Sequence, residues 1–310
     1  MNWLVIGGSG FVGQEILGAA RAAGIEAHTA PAPRLRTTAD TPETVLADAR
    51  RSDVAVLTGL MAGHDVVVNA AGLATPSADD SAGLRGANAL LPAVLARAAG
   101  AAGVRRFVHL SSAAVQGRTP MLDESGAVQP FSAYSRSKAL GEQTLALLDQ
   151  DGLAVATVRA TSVQGAGRPT TAALARLARS PLASVAAPGT AASPITSVGA
   201  LADLVVAVGR HSGEVPAVVL QPWEGLSVRS VLEAAGGRPR VLPAWLCRTA
   251  ISGGFATSRL LGGRLDGHVR RVELMWFGQD QVAGWAAAEG LVPAPRVREV
   301  LGAAALPDRR

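Results

Sequence analysis

The chain opens on an apolar run that leads straight into a glycine-spaced turn and then a helical pattern, NWLVIGGSGFVGQEILGAARAAG, and few architectures accommodate that order. Trp3 to Ile6 read as a strand, Gly7-x-x-Gly10-x-x-Gly13 as the turn, and Phe11, Val12, Ile16 and Leu17 as one apolar helix side. Glycines allow the tight turn and let backbone N–H groups at the helix N-terminus approach a diphosphate closely. A glycine triplet carries little weight in a chain of 35 glycines; the strand before it and the helix after it supply the weight. Apolar runs at 66–70, 104–110 and 153–158 alternate with helical patterns near 83–102 and 132–149. That alternation predicts an α/β fold, a doubly wound parallel sheet with helices on both faces. The region from 31 to 62 is ambiguous, and the strand expected there is not placed. In such sheets ligands bind beyond the carboxyl ends of the strands, where Gly7, Ala70, Ser112 and Arg159 all fall.

Tyr134 is the only tyrosine and Lys138 the only lysine, and they stand four residues apart in FSAYSRSKALGEQTLALL, which reads as a helix. Side chains at that spacing share a helix face, so phenol and ammonium can converge. A free phenol has a pKa of about 10 and is a poor acid or base near neutrality. A nearby cation favours the phenolate and brings the group into range for proton transfer.

The glycine spacing and the Tyr134/Lys138 pair together resemble the extended short-chain dehydrogenase/reductase family, the NAD(P)-dependent epimerase/dehydratase group, over roughly residues 1 to 170. The resemblance implies a Rossmann fold that binds NAD(P) through Gly7, Gly10, Phe11, Val12 and Gly13. Asp48 in LADARR matches the adenine-contacting acid. Ala70 and Ala71 in DVVVNAAG match the turn beside the cofactor, and Asn88 matches the asparagine of the next helix. FVHLSSAAVQG carries the catalytic serine, which the alignment places at Ser112. Arg159 matches a strand-end arginine whose usual proline is Ala160 here. In this pattern Tyr134 exchanges the proton of a substrate oxygen and Ser112 hydrogen-bonds that oxygen. Lys138 lowers the phenol pKa and holds the nicotinamide ribose.

The branches of the family separate in part. A sugar 4,6-dehydratase needs an Asp-Glu pair after the catalytic hydroxyl residue, and Ala113 and Ala114 stand there. A nucleotide-sugar epimerase places an asparagine where Ser162 stands and a tyrosine where Gln116 stands. The expected activity is therefore hydride transfer between nicotinamide and a carbonyl or hydroxyl carbon of a small organic, hydrophobic or polyketide-like substrate. The alternatives are an NAD-dependent nucleotide-sugar epimerase and, from another class, a non-catalytic NAD(P)-binding regulator. No Asp or Glu ends the second strand (IEAHTA), and Arg34 and Arg36 lie just beyond, which tilts the cofactor from NAD towards NADP. Residues 1–165 read as the dinucleotide-binding domain. Residues 166–310 read mainly as a substrate-binding region with elements returning to the sheet, and VLPAWLCRTAISGGF and VELMWFG, with Trp245, Phe255, Trp276 and Phe277, offer apolar walls.

The formal charge of +5 and pI near 10.7 suggest nucleic acid, but the arginines occur singly or in pairs and lack interleaved aromatics. No nucleic-acid or membrane partner is expected. Cys247 is the only cysteine, which excludes an intramolecular disulfide, and no Cys/His spacing suggests a metal. The first residues lack a basic stretch and cleavage site, so a cytoplasmic location is expected. Relatives often pair through the Tyr/Lys helix, which leaves a homodimer open.

Overall fold

A computed structural model describes residues 1–74, 80–148 and 152–305. Six parallel strands form the main sheet: β1 (Asn2–Ile6), β2 (Glu26–Ala30), β3 (Val66–Asn69), β4 (Arg106–Ser112), β5 (Ala154–Ala160) and β6 (Val218–Leu220). Their spatial order is β6-β5-β4-β3-β1-β2. The order reverses at β1, which pairs with β2 on one side and β3 on the other. The helices that position the site are α1 (Phe11–Ala22), α2 (Pro42–Arg51), α3 (Leu91–Ala101), α4 (Ala133–Ala146), α5 (Pro169–Ala178), α6 (Val198–Arg210), α7 (Val228–Ala234) and α8 (Asp266–Phe277).

Strand alternation sorts the core into two layers. Trp3 and Val5 of β1, Val66 and Val68 of β3, and Val108 of β4 pack with Ile16 of α1 and Leu201, Leu204 and Val208 of α6. Leu4, Ile6, Val67 and Phe107 point the other way, against Leu91 and Leu95 of α3 and Leu145 of α4. Strands buried on both faces read as continuous apolar runs, which is why they were legible. A third cluster, with Val185, Ile195, Val231, Leu232 and Leu301, lies in the later part of the chain. α6 and β6 return from that part to the main sheet, and α6 packs so closely that a Cβ at Gly209 would lie 2.2 Å from the Trp3 ring.

Region 31–62 forms no strand among the described residues. Pro31 and Pro33 interrupt the segment after β2, and α2 then starts at Pro42 with Thr41 as its cap, in a reciprocal pair with Thr44. β2 is thus an edge strand, and it carries exposed Glu26 and Thr29. No helix among the described residues is long and apolar enough to cross a membrane.

Candidate active site

The turn after β1 owes its shape to glycine. Gly7 has φ 84°, and a Cβ there would lie 2.9 Å from the Ala71 nitrogen. A Cβ at Gly13 would lie 2.3 Å from the Gly7 carbonyl oxygen. The backbone therefore folds back on itself, and the first turn of α1 presents N–H groups without side-chain caps. Opposite the turn, the chain leaving β3 is held by two buried asparagines. The Asn69 Oδ1 accepts from the Ala71 N–H at 3.1 Å, and the Asn88 Oδ1 accepts from the Leu73 N–H at 3.0 Å. Asn88 also donates to the Leu73 carbonyl at 2.9 Å and to the Ser137 hydroxyl at 3.0 Å, which ties this wall to α4. Gly72 faces Lys138: a Cβ on it would lie 3.1 Å from Nζ.

α4 begins with Ser132 and Ser135 in a reciprocal capping pair. The helix sets Tyr134 and Lys138 on one side of a cavity of about 310 Å³, with Val12, Ala70, Ala71 and Ser112 also around it. Burial is the largest influence on the phenol and pushes its pKa above the ordinary value; hydrogen bonding with Ser112 and the charge of Arg168 pull it down. The Lys138 ammonium donates to the Leu110 carbonyl at 2.8 Å. Lys138 was expected to supply the charge that lowers the phenol pKa; here that charge comes from Arg168, and the net shift is upward.

Lys138 is itself held at a low pKa, about 8, by desolvation, with Glu142 pulling it upward. Glu142 in turn binds Arg159: Nη2 to Oε2 is 2.7 Å, and both side chains are buried. Arg159 also donates from Nη1 to the carbonyls of Asp123 at 3.1 Å and Ser125 at 2.8 Å. The strand-end arginine thus faces an internal ionic network and not the cavity. Glu142→Ala would leave a buried guanidinium without its carboxylate, at an expected cost of about 3–5 kcal/mol in urea unfolding. A loss below about 1 kcal/mol would remove this account.

Three other groups of expected residues stand outside the lining of this cavity. Arg34 and Arg36 are exposed on the segment after β2, outside the residues lining the cavity. The Asp48 carboxylate, expected at the adenine, accepts from the Thr37 hydroxyl at 2.5 Å and pairs with Arg51 on α2. Trp245 is 69% exposed, and Trp276 donates to the Ser184 hydroxyl at 3.2 Å. These aromatics do not line the cavities around Ser112.

A second cavity of about 400 Å³ adjoins the first and shares Ser112, Ala160 and Ser162 with it. Its walls include Leu122, Phe131, Leu174, Ile195, Leu232 and Leu274, with Arg271 and Gln279 among the polar members. α8 thus supplies the apolar wall that the sequence assigned to VELMWFG, through Leu274 and Met275 and not the aromatics. Gln116, which stands where a tyrosine was expected, is buried and donates to Asp123 at 2.6 Å. Sequence reading missed Arg168, Ser111 and Thr161, which all line the first cavity. The Ser111 and Thr161 hydroxyls are buried without a protein partner. Such groups ordinarily find one, so a ligand in this cavity would complete their hydrogen bonding. These orphan hydroxyls and the glycine-only turn fit a dinucleotide. Among the described residues no cluster of His, Cys, Asp and Glu could hold a metal ion.

The model of the NAD dependent epimerase/dehydratase family matches residues 3–219. A ketoreductase of Stigmatella aurantiaca, named for 4-hydroxy-2-methyl-3-oxo-4-farnesyl-3,4-dihydroquinoline-1-oxide, is 33% identical over 177 residues. That match covers 54% of this chain and 51% of the relative, so the chain spans about half the length of the curated relative it matches. The fold is similar to that of UDP-glucuronic acid 4-epimerase from Bacillus cereus in complex with NAD, with TM-score 0.64, 19% identity, and 98% and 97% of the two chains covered. It is similar to human epimerase family protein SDR39U1 (isoform 2) with NADPH, with TM-score 0.63, 19% identity, and 98% and 99% covered. At those identities the likeness speaks for the fold.

Proposed function

The chain belongs to the NAD-dependent epimerase/dehydratase family, and from that premise we propose that it is a ketoreductase or alcohol dehydrogenase acting on a hydrophobic organic substrate. The observation that carries this reading is the carbon-lined cavity that opens beside Ser112 and adjoins the one holding Tyr134 and Lys138. Mostly apolar walls with a few convergent polar groups suit a small organic ligand. The relation to a ketoreductase supports the same substrate chemistry.

In this reading the first turn of α1 and the Ala70–Ala71 wall hold the dinucleotide, and Lys138 holds its nicotinamide ribose. The nicotinamide, when bound, supplies or accepts the hydride. Tyr134 gives a proton to the substrate oxygen during reduction and takes it back during oxidation. Ser112 hydrogen-bonds the same oxygen and orients it towards the phenol. Residues 166–310 mainly shape the substrate cavity, and residues 1–165 mainly bind the cofactor. The carbon walls exclude water from the reacting centre. NADP is the favoured cofactor, because no acid ends β2 and Arg34 and Arg36 follow it.

The test is to denature the purified protein, identify released nucleotide by mass spectrometry, and then assay hydrophobic ketones with NADPH and NADH. Nucleotide-free protein that turns over ketones faster with NADPH is the expected result, with the preference lost in Arg34→Ala/Arg36→Ala. Stoichiometric NAD held through purification, with no ketone turnover, would replace the reductase reading by an epimerase. An unchanged preference in the double variant would remove the argument for NADP.

A further inference from the structure

The loop Gly165 to Arg168, beyond β5 and directly after the short strand Ser162–Gln164, reaches across to the first turn of α1. A Cβ at Gly165 would lie 2.4 Å from the Phe11 ring, so the loop and the ring are in close contact. Arg168 then lays its guanidinium over the same ring, 5.2 Å from the centroid. Its Nη1 donates to the Val163 carbonyl, which fixes the other side of the fork. The side chain is half-buried and lines the cavity shared by Tyr134 and Lys138. Among the described residues no carboxylate pairs with it.

We infer that Arg168 is a clamp for the anionic diphosphate of the bound dinucleotide, closing from the β5 loop over the α1 N-terminus. The inference rests on the reading of this cavity as a dinucleotide site. A fork-shaped cation with donors to spare matches a phosphate, and the ring of Phe11 keeps it aimed. The α1 N–H groups would meet the same anion from the other side, so two elements distant in sequence grip one group. The clamp also faces Tyr134, whose phenol it pulls towards ionisation. Among the described residues the other charged side chains around that cavity are Lys138 and Arg271, both cations. Arg168 is thus a binding residue with a second, electrostatic effect on the proton donor.

The test is calorimetric titration of wild type, Arg168→Gln and Arg168→Lys with NADPH, NADH and ADP-ribose, which carries the diphosphate without nicotinamide. Expected is a 10- to 100-fold weaker Kd for all three ligands in Arg168→Gln and a smaller loss in Arg168→Lys. The wild-type affinity should fall more steeply with salt than that of Arg168→Gln. The alkaline limb of alcohol oxidation, which needs the ionised phenol, should move to higher pH in Arg168→Gln. ADP-ribose affinity unchanged in that variant would overturn the clamp. Failure of wild type to bind any of the three would overturn the dinucleotide reading itself. Matching thermal melts of the variants would exclude a folding defect as the cause of lost binding.

Discussion

Tyr134→Phe is expected to lower kcat by about 10²–10⁴-fold while NADPH binding stays within a few-fold of wild type. The substitution removes one oxygen and keeps the ring, so the helix that carries Lys138 and the Asn88–Ser137 tie is undisturbed. The lost oxygen is the one that Ser112 meets and that Arg168 acts upon. Burial holds the phenol protonated at neutral pH, which suits proton donation in the reducing direction. Oxidation needs the ionised form, so its rate should climb as pH rises towards the phenol's pKa. Steady-state rates in both directions and a binding titration of the same preparation check this. Turnover near wild type would remove Tyr134 from the chemistry.

Lys138→Met is expected to abolish most turnover and to make the protein more stable at neutral pH. Lys138 is 5% exposed, and desolvation lowers its pKa from 10.5 to about 8. Below pH 8 both folded and unfolded chains hold this proton, and only the folded one bears the burial cost. Between about pH 8 and 10.5 the folded chain releases the proton while the unfolded chain keeps it, so stability rises with pH across that window. The cost below it is on the order of 3 kcal/mol. Methionine fills the same space without charge, so the variant should gain up to that amount at pH 7. The gap from wild type should close as pH climbs to 10.5. Urea unfolding at several pH values measures it, and a variant less stable than wild type at pH 7 would contradict the account. A side chain that destabilises its fold marks a site where function opposes stability.

The sheet was legible because β3, β4 and β5 are buried on both faces and read as continuous apolar runs. The glycine turn was legible for a steric reason: at Gly7 and Gly13 a single methyl group would meet backbone. The Tyr134/Lys138 pair was legible because helical spacing decides which side chains share a face. What sequence did not reveal depends on contacts between distant segments. Arg168 lies 157 positions from Phe11 and meets it only once the β5 loop crosses α1. Arg159 has the same residue type at a similar strand end, yet its direction is set by Glu142 on another element. The form of residues 31–62 was beyond reach too, since prolines and a threonine cap make that segment loop and helix. Trp245 and Phe255 misled because aromatic content says nothing of which side a helix turns inward.

The return of α6 and β6 to the main sheet limits how the cavity beside Ser112 can be transplanted. The second cavity draws part of its wall from α5, α7 and α8, which bracket residues 198–220 in the chain. A chimera made by exchanging everything after residue 165 would import a foreign α6, and Trp3 has room there only for a glycine. Viable recombinants would keep the native segment from Val198 to Leu220 and exchange the pieces on either side. Drift within the family faces the same restriction: the cavity can change at α8 without consequence for β1, whereas the main sheet is stitched together from both halves of the chain.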